Sequence, residues 1–216
     1  MYRALVGVGA LCGLLIVSVF LLTLPVIQAN EADYLQRAVF KVLPGAVDKR
    51  SFYLDETGRF RPLEAGDTPG RTVHAGYDGQ GELIGVAIPG QGMGYADTIR
   101  VLFGYAPGQE AIVGLQVLAS KETPGLGDKI EKDPGFIANF SALDVSLAAG
   151  GAMLANPIEA VKSGEKTQPW EIDGITGATI SSKAIASILR EGSEAWVPLV
   201  VDQLAMFEAG GEFDER

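Results

Sequence analysis

The sequence predicts an α+β fold in which an N-terminal transmembrane helix is followed by an antiparallel sheet with helices packed against it. Three observations favour this fold: an uncharged apolar run opens the chain, short apolar segments separated by turn residues occupy its middle, and helical periodicity returns towards its end. After the apolar run, the 216-residue chain is still long enough for one domain with a hydrophobic core. We expect an anchor at 1–30, a stalk helix and loop at 31–70, a main domain at 71–200, and a helix end and tail at 201–216.

The apolar run extends from Ala4 to Ile27 and contains no charged residue. As a helix it would measure about 36 Å, enough to cross a hydrocarbon core of about 30 Å. Arg3 precedes the run while Glu31 and Asp33 follow it, so the positive-inside rule places the N-terminus in the cytoplasm. A cleaved signal peptide is the alternative, although its apolar core is usually about 7–15 residues. We therefore expect a single-pass protein of the cell inner membrane, with lipid around the helix and the main domain on the periplasmic or outer side.

Composition excludes several classes of function. The formal net charge is −10 and no basic stripe is visible, which argues against nucleic-acid binding because Lys and Arg supply most of that affinity. Cys12 and His74 are the single Cys and His, so an intrachain disulfide, a Cys-ligated iron–sulfur cluster and a zinc site are not expected. His74 lies in a predicted strand and is interpreted as an ordinary strand residue. A redox carrier would therefore have to be organic or come from a partner.

The elements before residue 128 are predicted from periodicity and turn residues. An amphipathic helix is expected at Glu31–Leu43, ended by Pro44-Gly45. The Gly90-Gln91-Gly92-Met93-Gly94 run lacks the strand–turn–helix setting of a dinucleotide fingerprint, so Pro89–Gly94 is predicted to be a flexible loop. The predicted strands are a short one near Ser51–Leu54, then Thr72–Gly76, Glu82–Ile88, Thr98–Tyr105 and Ala111–Ala119.

Helical patterns dominate after residue 128. Asp133-Pro134-Gly135 is predicted to open a segment in which Phe136, Ile137 and Phe140 pack together. Gly150–Gln168 is predicted to be loop with some strand. The last elements are expected to be a helix at Ser181–Arg190 closed by Gly192, with an apolar stripe of Ala184, Ile185, Ile188 and Leu189, and a final helix at Ala195–Phe207.

One segment whose residue types could form a functional site is Asp173-Gly174-Ile175-Thr176-Gly177-Ala178-Thr179-Ile180-Ser181-Ser182. Gly174 and Gly177 allow tight turns, and Thr179, Ser181 and Ser182 are residue types that commonly cap helices. The unpaired N–H groups and positive dipole end of a helix stabilise an anion, so a phosphate on Thr179 Oγ would be favoured there. The alternative interpretation is a capped helix after a glycine turn.

A second segment, Lys121-Glu122-Thr123-Pro124-Gly125-Leu126-Gly127-Asp128-Lys129, directly follows the last predicted strand. Pro124-Gly125 predicts a type II turn, and Gly127 permits another close backbone approach. Glycines at a strand end would let a flat ring lie against backbone N–H groups, and Thr123 and Lys129 could bond to ring oxygens. Taken alone, this segment is also compatible with a plain turn.

Together the two segments resemble the paired motifs of the FMN-binding domain family. That family occurs in the G subunit of Rnf-type ferredoxin–NAD oxidoreductases and in the C subunit of sodium-pumping NADH–quinone reductases. In it, a magnesium-dependent transferase takes FAD and leaves FMN as a phosphoester on the last threonine of a glycine–alanine–threonine motif. The resemblance implies that Thr179 is this threonine. The other implied cofactor-binding residues are Glu122, Thr123, Pro124, Gly125, Leu126, Gly127, Lys129, Asp173, Gly174, Thr176, Gly177 and Ala178.

The resemblance also implies a role for the chain. It would be an electron-carrying subunit of a membrane-bound, ion-translocating Rnf-like complex, with no residue for independent substrate turnover. Its partners would be the membrane and iron–sulfur subunits of the complex and, during maturation, the flavin transferase. The alternatives are the C subunit of the sodium-pumping quinone reductase, another exported FMN-binding redox protein, and a non-redox anchored domain in which Thr179 only caps a helix.

Overall fold

The computed structural model describes residues 2–64, 66–67 and 69–209, and these fall into two compact units divided between Arg37 and Ala38. The first unit consists of most of helix α1 (Tyr2–Val42), and the last residues of this helix belong to the second unit. Within α1, Val6–Val42 is long and apolar enough to cross a membrane, and an 18-residue window of it has a mean hydropathy of 2.7. The stalk helix predicted at Glu31–Leu43 is continuous with the predicted membrane helix.

The second unit is built on a seven-stranded antiparallel sheet, as predicted. Its strands are β1 (Asp48–Leu54), β2 (Phe60–Pro62), β3 (Thr72–Tyr77), β4 (Leu83–Met93), β5 (Thr98–Ala106), β6 (Ala111–Ala119) and β7 (Leu143–Asp144). Their order in the sheet is β2-β1-β3-β4-β5-β6-β7. A separate parallel pair joins β8 (Glu159–Val161) to β9 (Glu171–Asp173).

In the described part of the chain, two short helices lie between β6 and β7, and two more follow β9. They are α2 (Lys129–Lys132), α3 (Pro134–Ala138), α4 (Thr179–Asp202) and α5 (Leu204–Ala209). The predicted apolar stripe on α4 is confirmed, because Ala184, Ile185, Ile188 and Leu189 are all buried. The hydrophobic core therefore includes one face of α4 and the apolar residues of the sheet.

The loop predicted at Pro89–Gly94 is wrong, because β4 continues to Met93 and pairs with β5. The glycines serve packing: a Cβ on Gly90 or Gly92 would lie 2.8 Å or 2.6 Å from the Ile188 side chain of α4. Strand β3 pairs with β4 only as far as Ala87, so Pro89 comes after that ladder has ended.

The predicted helix end at Gly192 is also wrong, since α4 continues through it to Asp202. A Cβ on Gly192 would lie 3.0 Å from the ring of Phe103 on β5, so this glycine permits close packing of helix and sheet. Of the three residues expected to pack together after Pro134, only Phe136 and Phe140 do so, with ring centroids 5.2 Å apart. Ile137 is 43% exposed.

His74 is a strand residue, as predicted, and is buried in β3. Its Nδ1 lies 2.8 Å from Ser51 Oγ on the neighbouring strand β1. Burial lowers the pKa of His74 to about 4, so the imidazole is neutral at physiological pH.

Candidate functional site

The two glycine-rich segments meet at a cleft of about 320 Å³, which we call the first cleft. It lies between the segment that follows β6 and the start of α4, so residues more than fifty positions apart in sequence face the same space. Its lining residues are Tyr95, Glu122, Thr123, Leu126, Gly127, Gly177, Ala178, Thr179, Ile180 and Ser181.

A second cleft, of about 600 Å³, adjoins the first. Gly177 and Thr179 line both, so Thr179 lies at their junction. The second cleft is the more polar of the two and contains the charged side chains of Lys162, Glu165 and Lys183. Its other lining residues are Ala160, Val161, Ser163, Gly174, Ile175, Thr176 and Ser182.

Thr179 is the first residue of α4, and its side chain is exposed. The N-cap position belongs to Ala178, which has no capping side chain. Ser182 forms the side-chain hydrogen bonds at this helix start: its Oγ donates to Ala178 O at 3.0 Å and accepts from the Ile175 N–H at 3.1 Å. No hydrogen bond from the Thr179 hydroxyl to any described residue is present. The interpretation of Thr179 as a helix cap is therefore wrong.

Glu122 joins three segments at the wall of the first cleft. Its carboxylate is buried; Oε1 accepts from the Ala96 N–H at 3.0 Å, and Oε2 accepts a short hydrogen bond from Ser181 Oγ. Glycines leave room for both oxygens, because a Cβ on Gly94 would lie 2.5 Å from Oε1 and one on Gly127 would lie 2.5 Å from Oε2. The carboxylate thus ties the β4–β5 turn and the start of α4 to the segment after β6.

The turn after β6 has the predicted type II character. The Leu126 N–H donates to Thr123 O at 3.1 Å, and Gly125 has a φ of +79°. Asp128 holds this turn, because its Oδ1 accepts from the Gly125 N–H at 2.6 Å while Lys132 Nζ lies 2.6 Å from Oδ2. The hydrogen bond from the Lys132 ammonium lowers the pKa of Asp128. The i,i+4 spacing of Asp128 and Lys132 is a sequence signal that could have indicated this support.

Four of the predicted site residues line neither cleft: Pro124, Gly125, Lys129 and Asp173. Pro124 and Gly125 form the exposed part of the turn, and Lys129 begins α2. Asp173 ends β9, and its Oδ1 accepts from the Gly164 N–H at 2.7 Å in the turn after β8. The Asp173 carboxylate therefore stabilises the turn after β8, whose residues Lys162, Ser163 and Glu165 line the second cleft.

Sequence reasoning did not assign Tyr95, Ile180 or Ser181 to the site. Tyr95 belongs to the β4–β5 turn, closed by the Gly94 N–H donating to Asp97 O at 2.9 Å, and the sequence gives no direct signal for its position. Tyr95, Leu126 and Ile180 are between 51% and 67% exposed, so large apolar surfaces surround the first cleft. Apolar surfaces of this kind are suited to contact a flat aromatic ring.

Comparison with known proteins agrees with this geometry. Residues 94–194 match the family model of the FMN-binding domain. The chain is 27% identical over 194 residues to the G subunit of the ion-translocating oxidoreductase complex of Methanosarcina acetivorans, covering 86% of this chain and 87% of the relative. It is 32% identical over 175 residues to the G subunit of the same kind of complex from Cereibacter sphaeroides, covering 77% and 69%.

A solved structure shows the same fold. The C subunit of the Na⁺-translocating NADH-quinone reductase of Parabacteroides distasonis superposes with a TM-score of 0.64 at 20% identity, covering 82% of this chain and 96% of that chain. The α+β architecture predicted from the sequence is therefore confirmed.

Proposed function

Because this chain belongs to the family of G subunits of ion-translocating oxidoreductase complexes, whose members it matches through an FMN-binding domain, we propose that it carries FMN as a phosphoester on Thr179 and transfers electrons within such a complex. The observation that carries the proposal is the Thr179 hydroxyl. It is exposed, forms no hydrogen bond with a described residue, and lies where the two clefts meet.

The surroundings of Thr179 suit the two parts of FMN. The first cleft offers apolar side chains and backbone glycines for the ring. The phosphodiester would lie at the first turn of α4, where N–H groups and the helix dipole favour an anion. Lys183 follows Thr179 by one helical turn and lines the second cleft, so it adds a positive charge on that side. When bound, FMN supplies reversible uptake and release of electrons.

Attachment needs an external catalyst. A threonine hydroxyl is a weak nucleophile unless a base removes its proton, and the carboxylate of Glu122 in the first cleft is already bonded to Ser181 and Ala96. We therefore propose that a transferase provides the base. The Thr179 oxygen forms the new ester bond to the FMN phosphorus of FAD, the phosphoanhydride bond breaks, AMP leaves, and the hydroxyl proton is released.

The helix α1 is proposed to anchor the protein in the cell inner membrane, with the N-terminus in the cytoplasm and the FMN domain on the outer side. Its length and hydropathy fit a membrane span, and Arg3 lies at the end expected to remain inside. A covalent bond suits an exported domain, because it removes the dependence on free FMN. The proposed partners are the membrane and iron–sulfur subunits of the complex, which should co-purify with the full chain.

The proposal is tested by replacing one hydroxyl. We expect Thr179→Ala, co-expressed with the transferase, to fold but to show no flavin fluorescence in a denaturing gel. Thr98→Ala is the matched control, since Thr98 is also an exposed threonine but lines neither cleft. It should retain the fluorescent band. A fluorescent Thr179→Ala band would contradict the attachment site.

A further inference from the structure

The first cleft contains one charged side chain among its lining residues, the carboxylate of Glu122. This group is 6% exposed, and its two oxygens accept hydrogen bonds from different segments, the Ala96 N–H and the Ser181 hydroxyl. Both partners can donate a hydrogen bond to a carboxylate oxygen. The glycines at 94 and 127 leave space on either side of it.

Nearby cations are poorly placed to neutralise this charge. Lys121 is adjacent in sequence, but it is 81% exposed and forms an ion pair with Asp97 at 2.7 Å. Lys129, which sequence reasoning placed near the ring, does not line the cleft. Lys183 is exposed and lines the second cleft rather than the first. A buried charge acts through a lower effective dielectric than an exposed one, so the field of Glu122 should be strong inside the first cleft.

We propose that the Glu122 carboxylate lowers the reduction potential of a flavin bound in the first cleft and thereby makes it a stronger electron donor to its partners. This inference rests on the proposed function and adds a tuning residue to it. Uptake of an electron without a proton brings negative charge onto the ring, and a fixed negative charge in the same cleft opposes that uptake. Glu122 therefore has an electrostatic effect beyond its role in joining the three segments.

The test is a redox titration of the full-length, flavin-loaded protein in detergent, comparing the wild type with Glu122→Gln. The amide keeps both contacts: its oxygen can accept from Ala96, and its NH₂ group can donate to the Ser181 oxygen. The midpoint potential should shift in the positive direction, so that the ratio of reduced to oxidised flavin at a fixed ambient potential rises about tenfold. Glu131→Gln is the matched control, because Glu131 is exposed on α2 and lines neither cleft; its ratio should change less than about twofold.

An equal response of the two variants, or a negative shift in Glu122→Gln, would overturn the proposal. If Glu122→Gln fails to fold, Ser181→Ala provides the test. Ser181→Ala keeps the Glu122 carboxylate but removes a hydrogen bond that partly offsets its charge. The ratio of reduced to oxidised flavin should therefore fall, and an unchanged or higher ratio would overturn the proposal. All potentials are measured on protein whose intact mass shows attached FMN. A null result would then contradict the role of Glu122 and leave the proposed function standing.

Discussion

Replacing Gly127 by alanine tests how tightly the first cleft is built. The backbone at Gly127 does not have a positive φ, so alanine causes no conformational strain there. The added Cβ would instead lie 2.5 Å from Glu122 Oε2, 2.8 Å from Glu122 Cβ and 2.9 Å from Ser181 Oγ. Oε2 is the end of the Glu122 side chain, but this carboxylate is buried and held by two hydrogen bonds. We therefore expect the substitution to displace the contact between Glu122 and Ser181.

The expected cost follows from two contributions. Overpacking a well-packed site costs about 1–3 kcal/mol. Weakening a hydrogen bond to a charged group costs about 1.5–3 kcal/mol. Alanine recovers about 0.4–1 kcal/mol by restricting the unfolded chain. We therefore expect Gly127→Ala to lower the free energy of unfolding by about 1.5–5.5 kcal/mol.

The free energy of unfolding is measured by urea titration of the full chain in detergent, with Gly79→Ala as the control. No atom lies within 4 Å of the Cβ that Gly79 would gain, and its φ is not positive. This control should be neutral or up to about 1 kcal/mol more stable. If the free energies of unfolding of Gly127→Ala and Gly79→Ala agree within about 0.5 kcal/mol, the first cleft is not packed as described. The hydrogen bonds assigned to Glu122 would then be wrong.

Three more predictions concern stability and attachment. Protonation of His74 is disfavoured in the folded state, because its pKa there is about 4 and not 6.5. The free energy of unfolding should therefore be highest above pH 6.5 and fall by up to about 3 kcal/mol as the pH is lowered towards 4. His74→Asn should lack this loss in urea titrations at each pH. Gly104→Ala should destabilise the fold by more than about 3 kcal/mol, because its Cβ would lie 2.0 Å from the carbonyl oxygen of Val42, whereas Gly108→Ala, with open space around it, should be nearly neutral in the same titration. Asp173→Ala should reduce flavin attachment, measured by mass spectrometry, more than it reduces the melting temperature, and equal losses would argue against a role in recognition.

The sequence predicts the sheet well because its signals are local. The predicted strands at Thr72, Thr98 and Ala111 agree with the structure within a few residues, since apolar runs between turn residues depend only on neighbours along the chain. The errors at Gly90–Gly92 and Gly192 share one physical cause. These glycines are required where α4 approaches the sheet, and their identity reflects a distant side chain such as Ile188 or Phe103.

The candidate site is predictable in part for the same reason. The two glycine-rich segments that line the first cleft are visible in sequence, and Thr179 follows from the segment Asp173–Ser182. The contact between Glu122 and Ser181 is not visible, because it joins residues 59 positions apart through side chains alone. Tyr95 escapes prediction because its turn directly follows the segment that the sequence assigns to a loop. Local patterns thus indicate the chemistry, whereas tertiary contacts determine which residues form the walls.

The intact mass of the full-length protein, co-expressed with a flavin transferase, tests the central claim most directly. The account predicts a mass increase equal to FMN minus one water, located by fragmentation on the peptide that contains Thr179. A mass equal to that of the unmodified polypeptide, or an FMN group on a different residue, would contradict it.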